Sequence, residues 1–230
     1  MTKTPERFYD SIAGEFDALM NPYDLQRRLE VVFEDLLGGR TLTGLTVLDA
    51  GCGTGPFTLA ARSRGARVTS VDIGIELLRR ARDKGAERPV AGDAAALPFA
   101  DASFDLVISS ECIEHTAQPD RTVTDLLRVL RPGGTLVLTC PNRTWRWSVT
   151  IANALNLRPY RGLENWPSWW MLRRWVQAHG GTPTRHVGIH AFPFLLTVTH
   201  PILRRLDQLG TVLGPAYVNQ GLVAVKGRPE

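Results

Sequence analysis

The first 40 residues carry apolar side chains at the three- and four-residue spacing of amphipathic helices. The first set consists of Phe8, Ile12, Phe16, Leu19 and Met20. A second set runs from Leu25 to Leu37, with Asn21-Pro22 before it and Gly38-Gly39 after it, which are common signals for the start and the end of a helix. The pattern therefore predicts two N-terminal helices within residues 5–38.

Short apolar runs alternate with helix-like segments between residues 45 and 141. The predicted strands are residues 45–48, 67–71, 89–91, 104–109 and 135–139, and the predicted helices between them are residues 57–65, 76–84 and 122–130. Alternation of this kind is typical of a parallel sheet with helices on both faces and right-handed crossovers. In such sheets a ligand binds beyond the carboxyl ends of the strands.

The alternation breaks after residue 142, and two insertions follow. Residues 143–167 include several tryptophans without a strand pattern, so this cap insertion forms either an aromatic lid over a ligand or additional core. Residues 168–179 are predicted as a helix, and residues 184–189 and 221–225 as strands. The apolar insertion 191–213 between those strands is interpreted as cover for the sheet, as a peripheral membrane contact or as a dimer face.

Composition narrows the class of protein. With 230 residues, 43% of them apolar and 22% charged, the chain is predicted to fold as one α/β domain over residues 1–230, with its core at residues 45–141. The sequence contains neither a signal peptide nor an apolar run of about 18 residues, so we expect a cytoplasmic protein. The net charge is +4, but the 27 Lys and Arg residues are spread along the chain, which disfavours a nucleic-acid partner.

The strongest chemical signal is VLDAGCGTG over residues 47–55, where a predicted strand ends in a glycine-rich turn before a helix. Glycines allow the backbone to approach a ligand closely, and the free amides of the next helix suit an anionic group. A dinucleotide site would need Gly-x-Gly-x-x-Gly, but Pro56 stands where the third glycine should be. Asp49 would repel a pyrophosphate, whereas it suits a ligand that carries an ammonium group.

Two further aspartates follow predicted strands. Asp72 ends the second strand, where a carboxylate can accept hydrogen bonds from both hydroxyls of a ribose. Asp93 follows the third strand and could accept one from an exocyclic amine such as N6 of adenine. Each aspartate alone could equally be a helix cap or a turn residue. Together with Asp49 they favour a nucleoside pocket.

These motifs, with GDAAALPFADASFDLVISSECIEH over residues 92–115, resemble class I S-adenosylmethionine-dependent methyltransferases. The resemblance implies a Rossmann-like, seven-stranded sheet whose last strand is antiparallel, and S-adenosyl-L-methionine as the cofactor. It implies that Gly51 lies near the methionine moiety, Asp72 on the ribose, Asp93 on adenine N6 and the Ala94 amide on the ring. The other residues expected at the cofactor from this part of the chain are Asp49, Gly53, Ile73 and Ser110.

The segment after the fourth strand is similar to the O-methyltransferases of ubiquinone biosynthesis, because it has the pattern Glu111-x-x-Glu114-His115. Residues 21–28 fit the early Asn-Pro and Arg region of that group loosely, although in a different register. The arginine of that region contacts the cofactor, which implies that role for Arg27 or Arg28, and Arg27 is the expected residue. Many amino-group methyltransferases of nucleic acids carry an Asn/Asp-Pro-Pro-Tyr element after the fourth strand. This chain does not, which favours a different acceptor.

Three roles remain open for Glu111, Glu114 and His115. The equivalent residues of the ubiquinone group are implicated in divalent metal binding, and Mg²⁺ held by carboxylates would lower the pKa of a bound phenol. Without a metal, His115 is the expected general base and Glu111 a carboxylate of the acceptor pocket. In the third interpretation, Glu114 caps a helix and His115 fills the pocket, and only geometry decides among the three.

The predicted function is methyl transfer from S-adenosyl-L-methionine to a small-molecule acceptor, preferably to the hydroxyl oxygen of a phenol or catechol. The protein would hold that oxygen in line with the S–CH₃ bond, and such orientation can lower a barrier by roughly 7–11 kcal/mol. The alternatives are N-methylation of a small molecule, RNA methylation, a dehydrogenase activity and a non-catalytic S-adenosylmethionine-binding module. The oligomeric state is left open.

Overall fold

A seven-stranded sheet forms the centre of the protein in the computed structural model, which describes residues 8–154, 162–194 and 196–228. The strands are β1 (Thr46–Ala50), β2 (Arg67–Asp72), β3 (Pro89–Ala91), β4 (Phe104–Ser110), β5 (Leu130–Pro141), β6 (Gly181–Ile189) and β7 (Asn219–Lys226). Their order across the sheet is β3-β2-β1-β4-β5-β7-β6. Strand β7 is antiparallel to both of its neighbours, and the other pairs are parallel. The predicted α/β sheet with its antiparallel last strand is confirmed.

Helices accompany the strands along the whole described chain. They are α1 (Phe8–Ser11), α2 (Phe16–Leu19), α3 (Pro22–Glu30), α4 (Pro56–Ser63), α5 (Ile75–Asp83), α6 (Pro119–Val129), α7 (Arg146–Ala154), α8 (Trp169–Ala178), α9 (His200–Leu206) and α10 (Gly210–Leu213). The π-helical segment Val31–Leu36 continues α3. The helices predicted between the first five strands are therefore present as α4, α5 and α6.

The second predicted N-terminal helix is confirmed, whereas the first is wrong as a single helix. Asn21 caps α3, because its side-chain oxygen accepts hydrogen bonds from the amides of Tyr23 and Asp24 at 3.0 and 3.2 Å. After the π-helical segment the chain turns at Gly38, whose φ of +69° suits glycine. The first helix is divided into α1 and α2, and Gly14, a poor helix former, lies between them.

The apolar runs of the central strands bury side chains on both faces of the sheet, as is typical of strands covered twice. Val47 and Leu48 are neighbours in β1, yet they belong to different core clusters. Leu48 packs in the cluster that contains the apolar residues of α6 and α8. Val47 packs in the cluster that contains those of α4 and of the π-helical segment. Both faces are thereby closed, which leaves the strand ends for a ligand.

The cap insertion contains more regular structure than its sequence pattern indicates. Helix α7 lies in it, and residues 155–161 fall outside the described residues, as do residues 5–7 and residue 195 of the other predicted segments. Ser168 then caps α8, since its hydroxyl accepts a hydrogen bond from the Met171 amide at 3.3 Å. The helix predicted over residues 168–179 is thus confirmed as α8.

The second insertion packs on β6 and also exposes apolar side chains. Leu203 is buried, and Gly210 lies so close to the backbone of Gly188 that no larger residue would fit there. The exposed apolar residues of the segment are Leu196, Val198, Ile202, Leu209, Val212 and Leu213. None of the helices in the described ranges is long and apolar enough to cross a membrane.

Candidate functional site

A cavity of about 790 Å³ opens where β1, β2 and β4 end, beneath the N-terminal helices. The predicted site residues that line it are Gly51, Gly53, Asp72, Ile73, Asp93, Ala94, Ser110, Glu111, Glu114 and His115. Asp49 and Arg27 do not line it. The fold therefore brings most of the predicted cofactor residues and the predicted acceptor residues to one cavity.

The glycine turn after β1 forms one wall of this cavity. Gly51 has a φ of +74°, and a side chain there would overlap the Cys112 Sγ. Gly53 also has positive φ, and its amide donates a hydrogen bond to Asp72 Oδ2 at 2.8 Å. The turn therefore requires glycine for both its conformation and its close packing, and it leaves room for a ligand on the cavity side.

Asp72 lies at the end of β2 and holds the glycine turn in place. Its Oδ1 accepts a hydrogen bond from the Gly74 amide at 2.8 Å, in addition to the bond from Gly53. Burial raises the pKa of Asp72, and these two amide hydrogen bonds oppose that change. Each carboxylate oxygen can accept more than one hydrogen bond, so Asp72 retains acceptor capacity toward the cavity.

Asp93 and Ala94 line the same cavity beyond the end of β3. Asp93 is exposed, and its Oδ1 accepts a hydrogen bond from the Ala95 amide at 2.8 Å. This contact is the turn-forming role that any Asp of this kind can have. Asp93 therefore shapes its loop while it also faces the cavity.

Asp49 is buried beneath the glycine turn rather than at the cavity surface. Its Oδ2 accepts a hydrogen bond of 2.6 Å from the Thr58 hydroxyl, which lies 2.8 Å from the Ser70 hydroxyl. Burial raises the pKa of Asp49 to about 7. Asp49 therefore does not line the cavity, where we expected it to contact the ammonium group of a ligand.

Replacement of Asp49 by asparagine is expected to stabilise the ligand-free protein in a pH-dependent way. A raised pKa means that the folded state resists loss of the proton, so stability falls as the pH rises from about 4 to about 7. Asparagine removes this loss and keeps an oxygen for Thr58. The gain in the free energy of unfolding should be on the order of 3 kcal/mol at pH 8 and small near pH 4.

Urea denaturation at both pH values measures this effect. Asp83→Asn is the matched control, because Asp83 is exposed on α5. An equal gain at both pH values, or a loss of stability at pH 8, would contradict the assignment of a buried, proton-retaining carboxyl to Asp49.

Arg28, rather than Arg27, is the arginine of α3 that lines the cavity. Arg27 forms ion pairs with Asp207 at 2.9 Å and Asp35 at 3.2 Å, outside the cavity. Neighbouring positions of a helix point about 100° apart, so a register difference of one residue changes which side chain reaches the cavity. The expectation that Arg27 reaches the cavity is therefore wrong, and Arg28 is the arginine of α3 that lines it.

The guanidinium of Arg28 is held by two partners. It donates to Asp24 Oδ2 through Nε at 2.9 Å and Nη2 at 2.8 Å, and through Nη1 to the Ser110 hydroxyl at 3.2 Å. Asp24 in turn lies 3.0 Å from the Nε2 of the buried His190. Arg28 is thus part of a buried polar network at the back of the cavity.

Two glutamates form the wall beside this network, of which Glu114 is buried and Glu111 is half-buried. Glu111 has a φ of +52° directly after β4, a strained conformation of the kind found at functional sites. Its carboxylate accepts hydrogen bonds from Asn219 Nδ2 at 3.0 Å and the Thr139 hydroxyl at 3.2 Å. Burial raises the pKa of Glu111. Burial and the nearby Glu111 raise the pKa of Glu114.

His115 is oriented by contacts at both ring nitrogens. Its Nδ1 lies 2.8 Å from the Leu163 carbonyl oxygen, which can only accept, so Nδ1 carries a hydrogen. Its Nε2 lies 3.2 Å from the Tyr9 hydroxyl and 3.7 Å from Glu114 Oε1. In the neutral ring Nε2 therefore bears the lone pair and accepts from Tyr9. This tautomer is the one that a general base at Nε2 requires.

The magnesium alternative finds no support in this arrangement. Within the described ranges no three His, Cys, Asp or Glu side chains are grouped so that they could hold a metal ion. Glu111 is bonded to Asn219 and Thr139, and the ring of His115 is engaged by Leu163 and Tyr9. Glu111, Glu114 and His115 share the cavity wall, but they do not form a ligand set.

Several cavity residues were not predicted from the sequence. Tyr9 and Asp24 lie in the N-terminal helices, and Asn219 reaches Glu111 from β7. Trp166 of the proposed aromatic lid lines the cavity, whereas Trp145 does not and donates from Nε1 to the Ala216 carbonyl at 2.8 Å. Tyr9 directly follows Phe8, the first residue of the N-terminal apolar pattern. That pattern predicts a helix, but it does not indicate that Tyr9 contacts His115, which lies 106 residues further along the chain.

Comparison with known proteins agrees with the sheet and the cavity. A family model described as a methyltransferase domain matches residues 48–138. An uncharacterized methyltransferase of Mycolicibacterium gilvum is 32% identical over 196 residues, which cover 82% of this chain and 68% of that protein. Malonyl-(acyl-carrier protein) O-methyltransferase of Pseudescherichia vulneris is 36% identical over 132 residues, covering 56% of this chain and 53% of that protein. The chain spans about half the length of the curated malonyl-(acyl-carrier protein) O-methyltransferases that it matches.

A solved structure shows the same fold. The S-adenosylmethionine-dependent methyltransferase of Mesorhizobium loti superposes with a TM-score of 0.67 at 19% identity, covering 88% of this chain and all of that one. The chain belongs to the class I S-adenosylmethionine-dependent methyltransferase family. The resemblance predicted from the glycine turn and Asp72 is thus confirmed.

Proposed function

We propose that the protein transfers a methyl group from S-adenosyl-L-methionine to a hydroxyl oxygen of a small-molecule acceptor. The observation that carries this proposal is that one cavity is lined both by the nucleoside-type wall and by His115. The nucleoside wall fits the cofactor, since Gly51 and Gly53 line the cavity without side chains and Asp72 has acceptor capacity for ribose hydroxyls. Asp93 and Ala94 are assigned to the adenine, and Gly53, Ile73 and Ser110 are assigned to the other parts of S-adenosyl-L-methionine.

The bound cofactor supplies a methyl group on a sulfonium, which is already activated for in-line displacement. The protein then has to orient the acceptor, exclude water and receive a proton. His115 Nε2 is assigned as the proton acceptor, and the Tyr9 hydroxyl, which lies 3.2 Å from it and also lines the cavity, as its hydrogen-bond partner. Trp166 is buried and lines the cavity, and we assign to it a share in keeping water from the reacting groups.

Oxygen is favoured as the acceptor because a hydroxyl must lose its proton as the methyl group arrives. A neutral His115 with a lone pair at Nε2 can accept that proton. General base catalysis of this kind raises the reaction rate by roughly 10²–10⁴-fold. Methylation of nitrogen is the second candidate, because the carboxyls of Glu111 and Glu114 would suit an amine. RNA has less support, since the Lys and Arg residues are not concentrated in one segment.

Release of S-adenosylhomocysteine with a panel of phenols, catechols, hydroxy acids and amines tests the proposal. We expect turnover of a hydroxyl acceptor, and we expect EDTA to leave the rate unchanged, since the contacts of His115 hold it for proton transfer rather than for a metal. Loss of turnover in EDTA that Mg²⁺ restores would reinstate the metal alternative. Turnover of amines alone would move the proposal to nitrogen.

A further inference from the structure

Glu114 is a buried carboxyl in the cavity wall, and its contact with another described side chain is the 3.7 Å approach of His115 Nε2 to its Oε1, which is too long for a hydrogen bond. It is 1% exposed, and no other described residue forms a hydrogen bond with either of its carboxyl oxygens. Leaving a buried polar group without a partner costs about 1–3 kcal/mol, and more for a charge. Because Glu114 lines the cavity, a bound molecule is in a position to provide the missing hydrogen bond.

The wall around Glu114 is rich in hydrogen-bond acceptors. Glu111 lies on the same segment, and its charge raises the pKa of Glu114 further than burial alone. The nearest cation, Arg28, already donates to Asp24 and Ser110. Arg121 also lines the cavity, but its side chain is exposed to solvent at the rim, where charges are screened.

We propose that Glu114 accepts a hydrogen bond from an O–H or N–H group of the methyl acceptor, so that this enzyme selects neutral or cationic acceptors over carboxylates. The inference rests on the proposed function, because it assigns a binding residue for the acceptor of that reaction. A carboxylate in this place would lie beside two glutamates, and Arg28, the buried arginine among the described residues of this wall, is already paired with Asp24. A donor group instead satisfies an oxygen that is otherwise unpaired.

Calorimetric titration of the protein saturated with S-adenosylhomocysteine tests the selectivity without turnover. The probes are catechol, benzylamine and benzoate, which share a six-membered ring and differ in the polar group. We expect catechol or benzylamine to bind at least 10-fold more tightly than benzoate. The catechol and benzylamine arms also distinguish an O–H from an N–H donor as the preferred partner.

Glu114→Leu removes the acceptor oxygens and leaves a side chain of similar volume, so the affinity for the preferred probe should fall at least 10-fold. Glu114→Gln keeps one acceptor oxygen and should retain more of the affinity than the leucine variant. Both variants should melt at or above the wild-type temperature without ligand, because an unsatisfied buried carboxyl is removed. Glu87→Leu, at an exposed position far from the cavity, is the control.

Two results would overturn the inference. One is a benzoate affinity equal to or above that of both donor probes, which includes the absence of measurable binding by all three. The other is unchanged affinity for the preferred probe in Glu114→Leu. Failure of the wild-type protein to bind S-adenosylhomocysteine at all is a different result, since it overturns the proposed function and this inference with it.

Discussion

Replacement of Asp72 by alanine is expected to lower the affinity for S-adenosyl-L-methionine by about 10²- to 10⁴-fold. Hydrogen bonds to a charged group contribute about 1.5–3 kcal/mol each, and a ribose makes two of them with such a carboxylate. The same side chain holds the amides of Gly53 and Gly74. Its loss therefore removes a ligand contact and also the support of the glycine turn.

Isothermal titration with S-adenosyl-L-methionine measures this change, and circular dichroism confirms that the variant is folded. Asp72→Asn separates the two effects, because asparagine can still accept from one amide but loses the charge. Asp83→Asn again serves as the exposed control on the following helix. Unchanged affinity in a folded Asp72→Ala protein would mean that the nucleoside pocket has been assigned to the wrong wall.

Replacement of His115 by alanine is expected to reduce turnover by about 10²- to 10⁴-fold, the usual contribution of a general base. Cofactor affinity should change little, since the residues assigned to the ribose and adenine lie after β2 and β3, away from His115. Tyr9→Phe should show a smaller loss, because the hydroxyl contact is removed while the Leu163 carbonyl still orients the ring.

Single-turnover rates with the best acceptor of the panel, together with cofactor titration, separate chemistry from binding. The exposed His179 provides the matched histidine-to-alanine control. The pH profile adds a readout that a structural role would not change. In the wild type the rate should fall at low pH as the Nε2 lone pair is lost, and that limb should be absent from His115→Ala. A wild-type rate in His115→Ala would exclude this residue from the chemistry.

Sequence alone was sufficient for the fold and for most of the residues that we propose to hold the nucleoside, which all line the cavity except Asp49. The apolar runs of residues 45–48 and 104–109 indicate buried strands because their side chains must be covered on both faces. Gly51 and Asp72 belong to local motifs at strand ends, and parallel strands bring such ends to one edge of the sheet. Each of these features is defined by a few consecutive residues, so the residue pattern that predicts it can be read within one short segment of the sequence.

The acceptor half was decided by tertiary structure. Tyr9 and His115 are 106 positions apart and meet because the N-terminal helices fold over the strand ends. Arg27 and Arg28 are neighbours in α3 and point about 100° apart, so the orientation of this helix determines that Arg28, and not Arg27, lines the cavity.

The burial of Glu114 and the absence of a partner for it in the described chain depend on everything that surrounds it. The sequence by itself determined the sheet, the glycine turn and the family. The tautomer of His115 and the burial of the Glu114 carboxyl without a hydrogen-bond partner among the described residues came only from the tertiary structure, and the acceptor chemistry that we propose rests on them. The physical reason is that desolvation and hydrogen bonding between distant segments are properties of the packed chain, and no local pattern of residues encodes them.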